Sequence, residues 1–154
     1  MNEILSCIAG KVADRVPSFI LSRILPPRKV AEQVKVRLRG ENPICPNLNS
    51  SNPQIDLWFE IINLSNLKLV LDRLLIEVWF CQPTFNGSIL RRRDVPPRGI
   101  VTDILYQQSL TIAQKEQIES CLSEKGRIYI YLTVHFESKV GRIEVEERIE
   151  RASV

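Results

Sequence analysis

The chain has 154 residues, of which 44% are hydrophobic and 25% charged, the proportions of one soluble globular domain and not of a disordered or fibrous chain. No stretch approaches 18 uncharged apolar residues, so no spanning helix is expected, and with Glu3, Lys11, Asp14, Arg15 and Arg23 in residues 1–25 no secretory leader is expected. The net charge of +3 is uneven: residues 1–40 hold eight basic and three acidic side chains, a balance of +5, so the remainder sums to −2. Cytoplasm is the expected compartment, and any anionic partner is expected to meet the N-terminus first.

In chain order, residues 2–25 place Ile4, Leu5, Ile8, Val12, Val16, Phe19, Ile20 and Ile24 at spacings of three and four. That is one stripe of an amphipathic helix, with Lys11, Arg15 and Arg23 at its rim. Pro17 should kink it and Pro26-Pro27 should end it. The division expected is a helical segment over residues 1–29 and a β-sandwich domain over 30–154. The stripe has two readings. It packs on protein, either the domain or another copy of the chain, or it lies on an anionic membrane surface. The contact residues are then Ile4, Leu5, Ile8, Lys11, Val12, Arg15, Val16, Phe19, Ile20 and Arg23.

Residues 33–39 alternate, with Val34, Val36 and Leu38 facing one way and Lys35, Arg37 and Arg39 the other, which predicts a half-buried strand. Three prolines and four asparagines make residues 40–53 loop. The stretch Gln54 to Gln82 carries two long apolar runs joined by Asn63-Leu64-Ser65-Asn66. In the first, Ile55, Leu57, Phe59 and Ile61 share a face. In the second, Leu74, Ile76, Val78 and Phe80 share one while Leu75, Trp79 and Cys81 occupy the other. A strand apolar on both faces is expected near the middle of a sheet and covered on both sides.

Asn86-Gly87 predicts a tight hairpin. Residues 95–99 are a break, and residues 100–110 form a less regular strand through Val101, Ile104 and Tyr106. Thr111 and Gln114 fit a capping box that opens a helix, and Gly126 is placed to stop it. In residues 127–137, Ile128, Ile130, Leu132, Val134 and Phe136 face inward. A turn through Lys139-Val140-Gly141 then leads to a strand with Ile143, Val145 and Ile149 inward. Seven or so short-spaced strands predict a mainly β, antiparallel two-sheet sandwich of the immunoglobulin or fibronectin-III kind. It carries an N-terminal amphipathic helix and one short helix before the C-terminal hairpin.

Catalytic sets are absent from this pattern. The four cysteines, Cys7, Cys45, Cys81 and Cys121, lie more than thirty positions apart with no CxxC or Cys–His pairing, and Cys81 and Cys121 are expected to be free buried thiols. His135 falls on a polar strand face, where a solvated side chain is expected. No phosphate loop or nucleophile elbow occurs, and Glu144, Glu146, Glu147 and Glu150 are interleaved with Arg142, Arg148 and Arg151, so neither cofactor nor metal is expected. The alternative to a docking helix is a nucleic-acid surface built from Lys35, Arg37, Arg39, Arg91, Arg92 and Arg93, with Tyr129 and Tyr131 as stacking residues.

The order of elements resembles a known family. A leading strand (Val34 to Leu38) is followed by a long strand closing on Asn63 and a paired strand to Phe80. The loop Val95-Pro96-Pro97-Arg98-Gly99 then leads to a strand near Leu110, a short helix and a C-terminal hairpin. This is similar to the type-2 late embryogenesis abundant proteins with the water-stress and hypersensitive-response domain, over residues 33–151. Where that family typically shows Asn-Pro, Asn63 is followed here by Leu64. The resemblance implies a non-catalytic sandwich, a stress-related role and an N-terminal membrane segment, and supplies no catalytic residue.

Overall fold

The computed structural model describes residues 16–152. Among them are nine strands in two antiparallel sheets and three short helices. The first sheet holds β1 (Val34–Leu38), β2 (Ile44–Asn47), β3 (Gln54–Asn63) and β7 (Gly99–Ser109). The second holds β4 (Leu69–Phe80), β5 (Gln82–Ile89), β6 (Arg93–Val95), β8 (Arg127–Ser138) and β9 (Gly141–Ala152). The inner rows read from the alternation all face the core. Phe59, Phe80, Phe136, Ile55, Leu57 and Leu74 are among the fully buried side chains, and Ile149 is half-buried.

The two organising runs, β3 and β4, do not pair with each other as expected. They belong to different sheets, and the link between them crosses from one to the other. Asn63 holds that crossing. It is fully buried, its Nδ2 donates to Leu67 O at 2.8 Å and to Pro96 O at 3.0 Å, and its Oδ1 accepts from Ser65 N and Ser65 Oγ. One amide side chain thus satisfies backbone groups that the turning chain would otherwise bury unpaired.

Each sheet has an outer strand broken into two pieces. β1 pairs with the second half of β3, and β2 pairs with the first half along the same edge. Trp58 closes both sides of the break, accepting from Arg39 N at 2.9 Å and donating to Pro43 O at 2.8 Å. The expected loop over residues 40–53 therefore contains a strand. Pro46 is tolerated there because an edge strand needs hydrogen bonds on one side only. In the second sheet β5 and β6 share one edge of β4 in the same way.

The Asn86-Gly87 hairpin is not formed. The chain reverses earlier, at Cys81 (φ 62°), with Phe80 opposite Gln82, and β5 runs unbroken through Gly87. A Cβ on Gly87 would collide with the ring and hydroxyl of Tyr106, so this glycine serves close packing between the sheets. β4 is central in its sheet, between β5 and β8, but it is not covered on both faces. Leu75 is 39% exposed, and Trp79 lies half-buried against Tyr131, ring centroids 5.7 Å apart.

Irregular strands have local causes. Phe59 pairs with Ile104 but Ile61 with Val101. β7 thus carries one extra residue opposite Glu60, and that bulge produces the uneven inward spacing of Val101, Ile104 and Tyr106. The C-terminal hairpin is as regular as its sequence, with Ser138 opposite Gly141.

Helix α1 (Ser18–Ile24) lies within the expected N-terminal helix. Pro26-Pro27 ends that run but also opens α2 (Pro27–Ala31), with Pro27 in the first turn, where its missing N–H costs nothing. Val30 is completely buried.

Helix α3 (Ile112–Ser123) has the expected capping box: Gln114 N donates to Thr111 Oγ1 at 3.2 Å, and Thr111 N donates to Gln114 Oε1 at 2.9 Å. Its left-handed terminal residue is Lys125 (φ 52°), not Gly126. Gly126 is required for another reason, because a Cβ there would strike Cys81 Sγ. Cys81 and Cys121 are joined in a disulfide with Cα atoms 5.9 Å apart, so the expectation of two free thiols is corrected. The fold brings the β4–β5 turn beneath α3, a proximity that a sequence separation of 40 conceals.

Candidate docking surface

Among the described residues of the expected N-terminal contact set, the helix divides its apolar residues between two jobs. At about 100° per residue, Phe19, Arg23, Ile20 and Ile24 fall in that order around one side, and Leu21 and Leu25 fall beyond them. The burial agrees. Leu21 is 6% exposed and Leu25 and Val16 pack against the core, whereas Phe19 is 65%, Ile20 39% and Ile24 69% exposed. Val16, one of the expected contact residues, is partly buried against the core. Leu21, absent from the expected stripe, is what anchors the helix. Its signal was available, since with Leu25 it forms an i, i+4 pair. The remaining candidates, Ile4, Leu5, Ile8, Lys11, Val12 and Arg15, lie outside the described residues.

Basic character continues past this helix. Arg28 and Lys29 lie in α2, and Arg28 makes only an exposed contact of 3.8 Å to Glu32. An exposed apolar strip with Arg23 set into it and further cations behind it can enter a lipid interface while its charges meet anionic headgroups.

The basic residues of the alternative surface are not brought together. Lys35, Arg37 and Arg39 lie on or beside β1, at the edge of the first sheet that runs against β9. Arg91, Arg92 and Arg93 lie where β5 gives way to β6, at the opposite edge, against β7. Three of them are matched to carboxylates. Arg37 pairs with Glu60, which is 8% exposed. Arg92 Nη2 lies 2.6 Å from Glu137 Oε2, and Arg93 Nη2 lies 2.6 and 2.7 Å from the two oxygens of Asp103. The hydrogen bond from Arg93 holds the Asp103 carboxyl below its ordinary pKa. Arg39 lies over the Trp58 ring, 4.3 Å from its centroid, a cation–π contact. The expected stacking residues are also engaged, since Arg148 lies over Tyr129 at 5.1 Å and over Tyr131 at 5.8 Å.

His135 occupies the polar outer face as expected, with Nδ1 3.3 Å from Glu144 Oε2. Among the described residues no cluster of three or more His, Cys, Asp or Glu could hold a metal ion, and no helix is long and apolar enough to cross a membrane. One open cleft of about 700 Å³ lies at the corner between β2 and the end of β9, lined by Ile44, Pro46, Phe80, Leu122, Ile128 and Arg151.

No protein-family model matches this chain, and no curated protein matches it in sequence. Solved structures do resemble it. A protein from Archaeoglobus fulgidus is 11% identical with a TM-score of 0.46, over 79% of this chain and 95% of that one. A late embryogenesis abundant protein is 8% identical with a TM-score of 0.40, over 99% and 88%. A protein from Arabidopsis thaliana is 9% identical with a TM-score of 0.38, over 77% of each chain. No residue's role is carried over from any of them.

Proposed function

We propose that this chain is a non-enzymatic β-sandwich binding module that docks on an anionic membrane surface through α1 and the basic residues that follow it, Arg28 and Lys29. The observation that supports the reading is the division of α1: Leu21 ties the helix to the sandwich while Phe19, Ile20 and Ile24, with Arg23 among them, face outward. Phe19 and Ile24 are about two-thirds exposed and share one side of the helix with Ile20, which makes them an apolar patch and not scattered single residues. Arg23 within the strip, with Arg28 and Lys29 just beyond it, favours anionic lipid over neutral lipid. The family resemblance adds a protective, stress-related role to this reading.

Co-sedimentation of the full chain with vesicles tests it. The chain is expected to pellet with phosphatidylserine-containing vesicles and not with pure phosphatidylcholine, and to be released as salt rises. The double variant Phe19→Asp/Ile24→Asp should lower vesicle affinity by at least about tenfold, because each side chain contributes apolar area to insertion. Equal pelleting of the variant, or no pelleting of the wild type with either vesicle, rejects the membrane reading.

A further inference from the structure

β9 pairs with β8 along its whole length, and among the described residues no strand pairs with its other edge. The first half of the strand is nonetheless covered. Ile143 and Val145 are buried, β1 and α2 lie against β9, and Pro27 approaches within 3.9 Å of the position a Gly141 Cβ would take. Cover then fails. Along the same inward row, Glu147 and Ile149 are only half-buried and Arg151 is exposed. The facing residues of β2 are open too, Ile44 half-buried and Pro46 exposed, and the 700 Å³ cleft is the space between them. The sandwich gapes at the corner where a free strand edge runs out.

The sequence of that free edge is Glu147-Arg148-Ile149-Glu150-Arg151. Laid antiparallel against a second copy of itself about Ile149, it is complementary at every position. Glu147 faces Arg151 of the second copy, Arg148 faces Glu150, Ile149 faces Ile149, and the remaining two pairs repeat by symmetry. A two-fold axis perpendicular to the sheet keeps inward rows on the same side. Glu147, Ile149 and Arg151 of one copy then meet Arg151, Ile149 and Glu147 of the other, while on the outside Arg148, over the Tyr129 and Tyr131 rings, faces Glu150, bonded to Arg127 in its own chain. A strand edge carries the backbone donors and acceptors to complete such a pairing. The same charges against an unrelated edge would meet mismatches, and like charges directly opposite are unfavourable.

We infer that the C-terminal half of β9 is a self-association edge, on which a second copy of this chain adds its own β9 antiparallel about Ile149 and joins the two β4–β5–β8–β9 sheets into one. The contact would complete the burial of Ile149 from both sides and close the open corner. It is separate from the α1 surface.

Sedimentation velocity of the full chain from about 1 µM to about 1 mM tests the edge, with a species of twice the 17.7 kDa chain mass expected. Glu147→Arg alone, or Arg151→Glu alone, places like charges at both inner pairs and should weaken the dimer by at least about tenfold. The double variant Glu147→Arg/Arg151→Glu restores opposite signs and should restore the dimer. Mixing the two single variants should produce a heterodimer, since one copy is then basic and the other acidic at both positions, and its formation also shows that each single variant folds. Independently, oxidised Ile149→Cys chains should cross-link through position 149. A wild type monomeric throughout the range overturns the proposal. So does a dimer that neither single reversal weakens, or a failure of the mixture and the double variant to re-form it.

Discussion

Asn63 shows how one side chain can hold a change of sheet. Both hydrogens of its amide face backbone carbonyls, Leu67 O and Pro96 O, in a fully buried site. Asn63→Asp would replace that donor with a third acceptor and bring a charge with it. The cost expected is about 3 kcal/mol or more, read as a fall in the denaturant midpoint, because unsatisfied carbonyls and a buried carboxylate are both unfavourable. Asp103 makes a gentler case. Its pKa is lowered chiefly by the hydrogen bond from Arg93, so its contribution to stability is present above the ordinary carboxylate pKa and is lost as pH falls through the lowered one. The wild type should melt slightly above Asp103→Asn at neutral pH, and the gap should close as pH falls through the lowered pKa of Asp103. A gap that persists in acid would mean the aspartate acts through packing. The importance of Asn63 could not be read from its neighbours, since Leu67 lies four residues away but Pro96 thirty-three.

At the level of elements, α3 was legible because its signals are local. The capping box lies within four residues, and Ile118 and Cys121 are buried as their spacing requires. What holds the helix down was not legible. Gln117 Nε2 donates to Gln82 O at 3.0 Å and Thr84 Oγ1 at 3.0 Å, and Gln114 Nε2 donates to Thr84 O at 3.0 Å. The Cys81–Cys121 disulfide sits beside them, closing a loop of sequence separation 40. A cross-link over that length stabilises by about 2–4 kcal/mol through the entropy it removes from the unfolded chain. Reduction should therefore lower the melting temperature by roughly 5–15 °C, and Cys121→Ser should show the same loss with no further response to reductant. Unchanged melting on reduction would mean that the glutamines and Ile118 hold α3 unaided. The strand in residues 40–53 was missed for a related reason: prolines and asparagines hide a strand that pairs along one edge only.

For the whole molecule, the sequence alone determined the inner rows of the regular strands. The two-residue alternation of β1, β3, β4, β8 and β9 assigns the inner rows, because one period of side-chain direction follows from the backbone whatever the strand's neighbours. It likewise implied antiparallel sandwich architecture, since many short strands with one apolar face and few helices to cover them bury that face when two sheets pack together. Tertiary structure decided who neighbours whom. It sent β3 and β4 to different sheets, put Lys35, Arg37 and Arg39 at the edge opposite Arg91, Arg92 and Arg93, joined Cys81 to Cys121, and turned Leu21 inward while Phe19 and Ile24 stayed out. Among the described residues it also left the outer edge of β9 without a paired strand. Local periodicity constrains the direction of a side chain over a few residues, whereas pairing across thirty or forty residues is selected by packing the whole core at once.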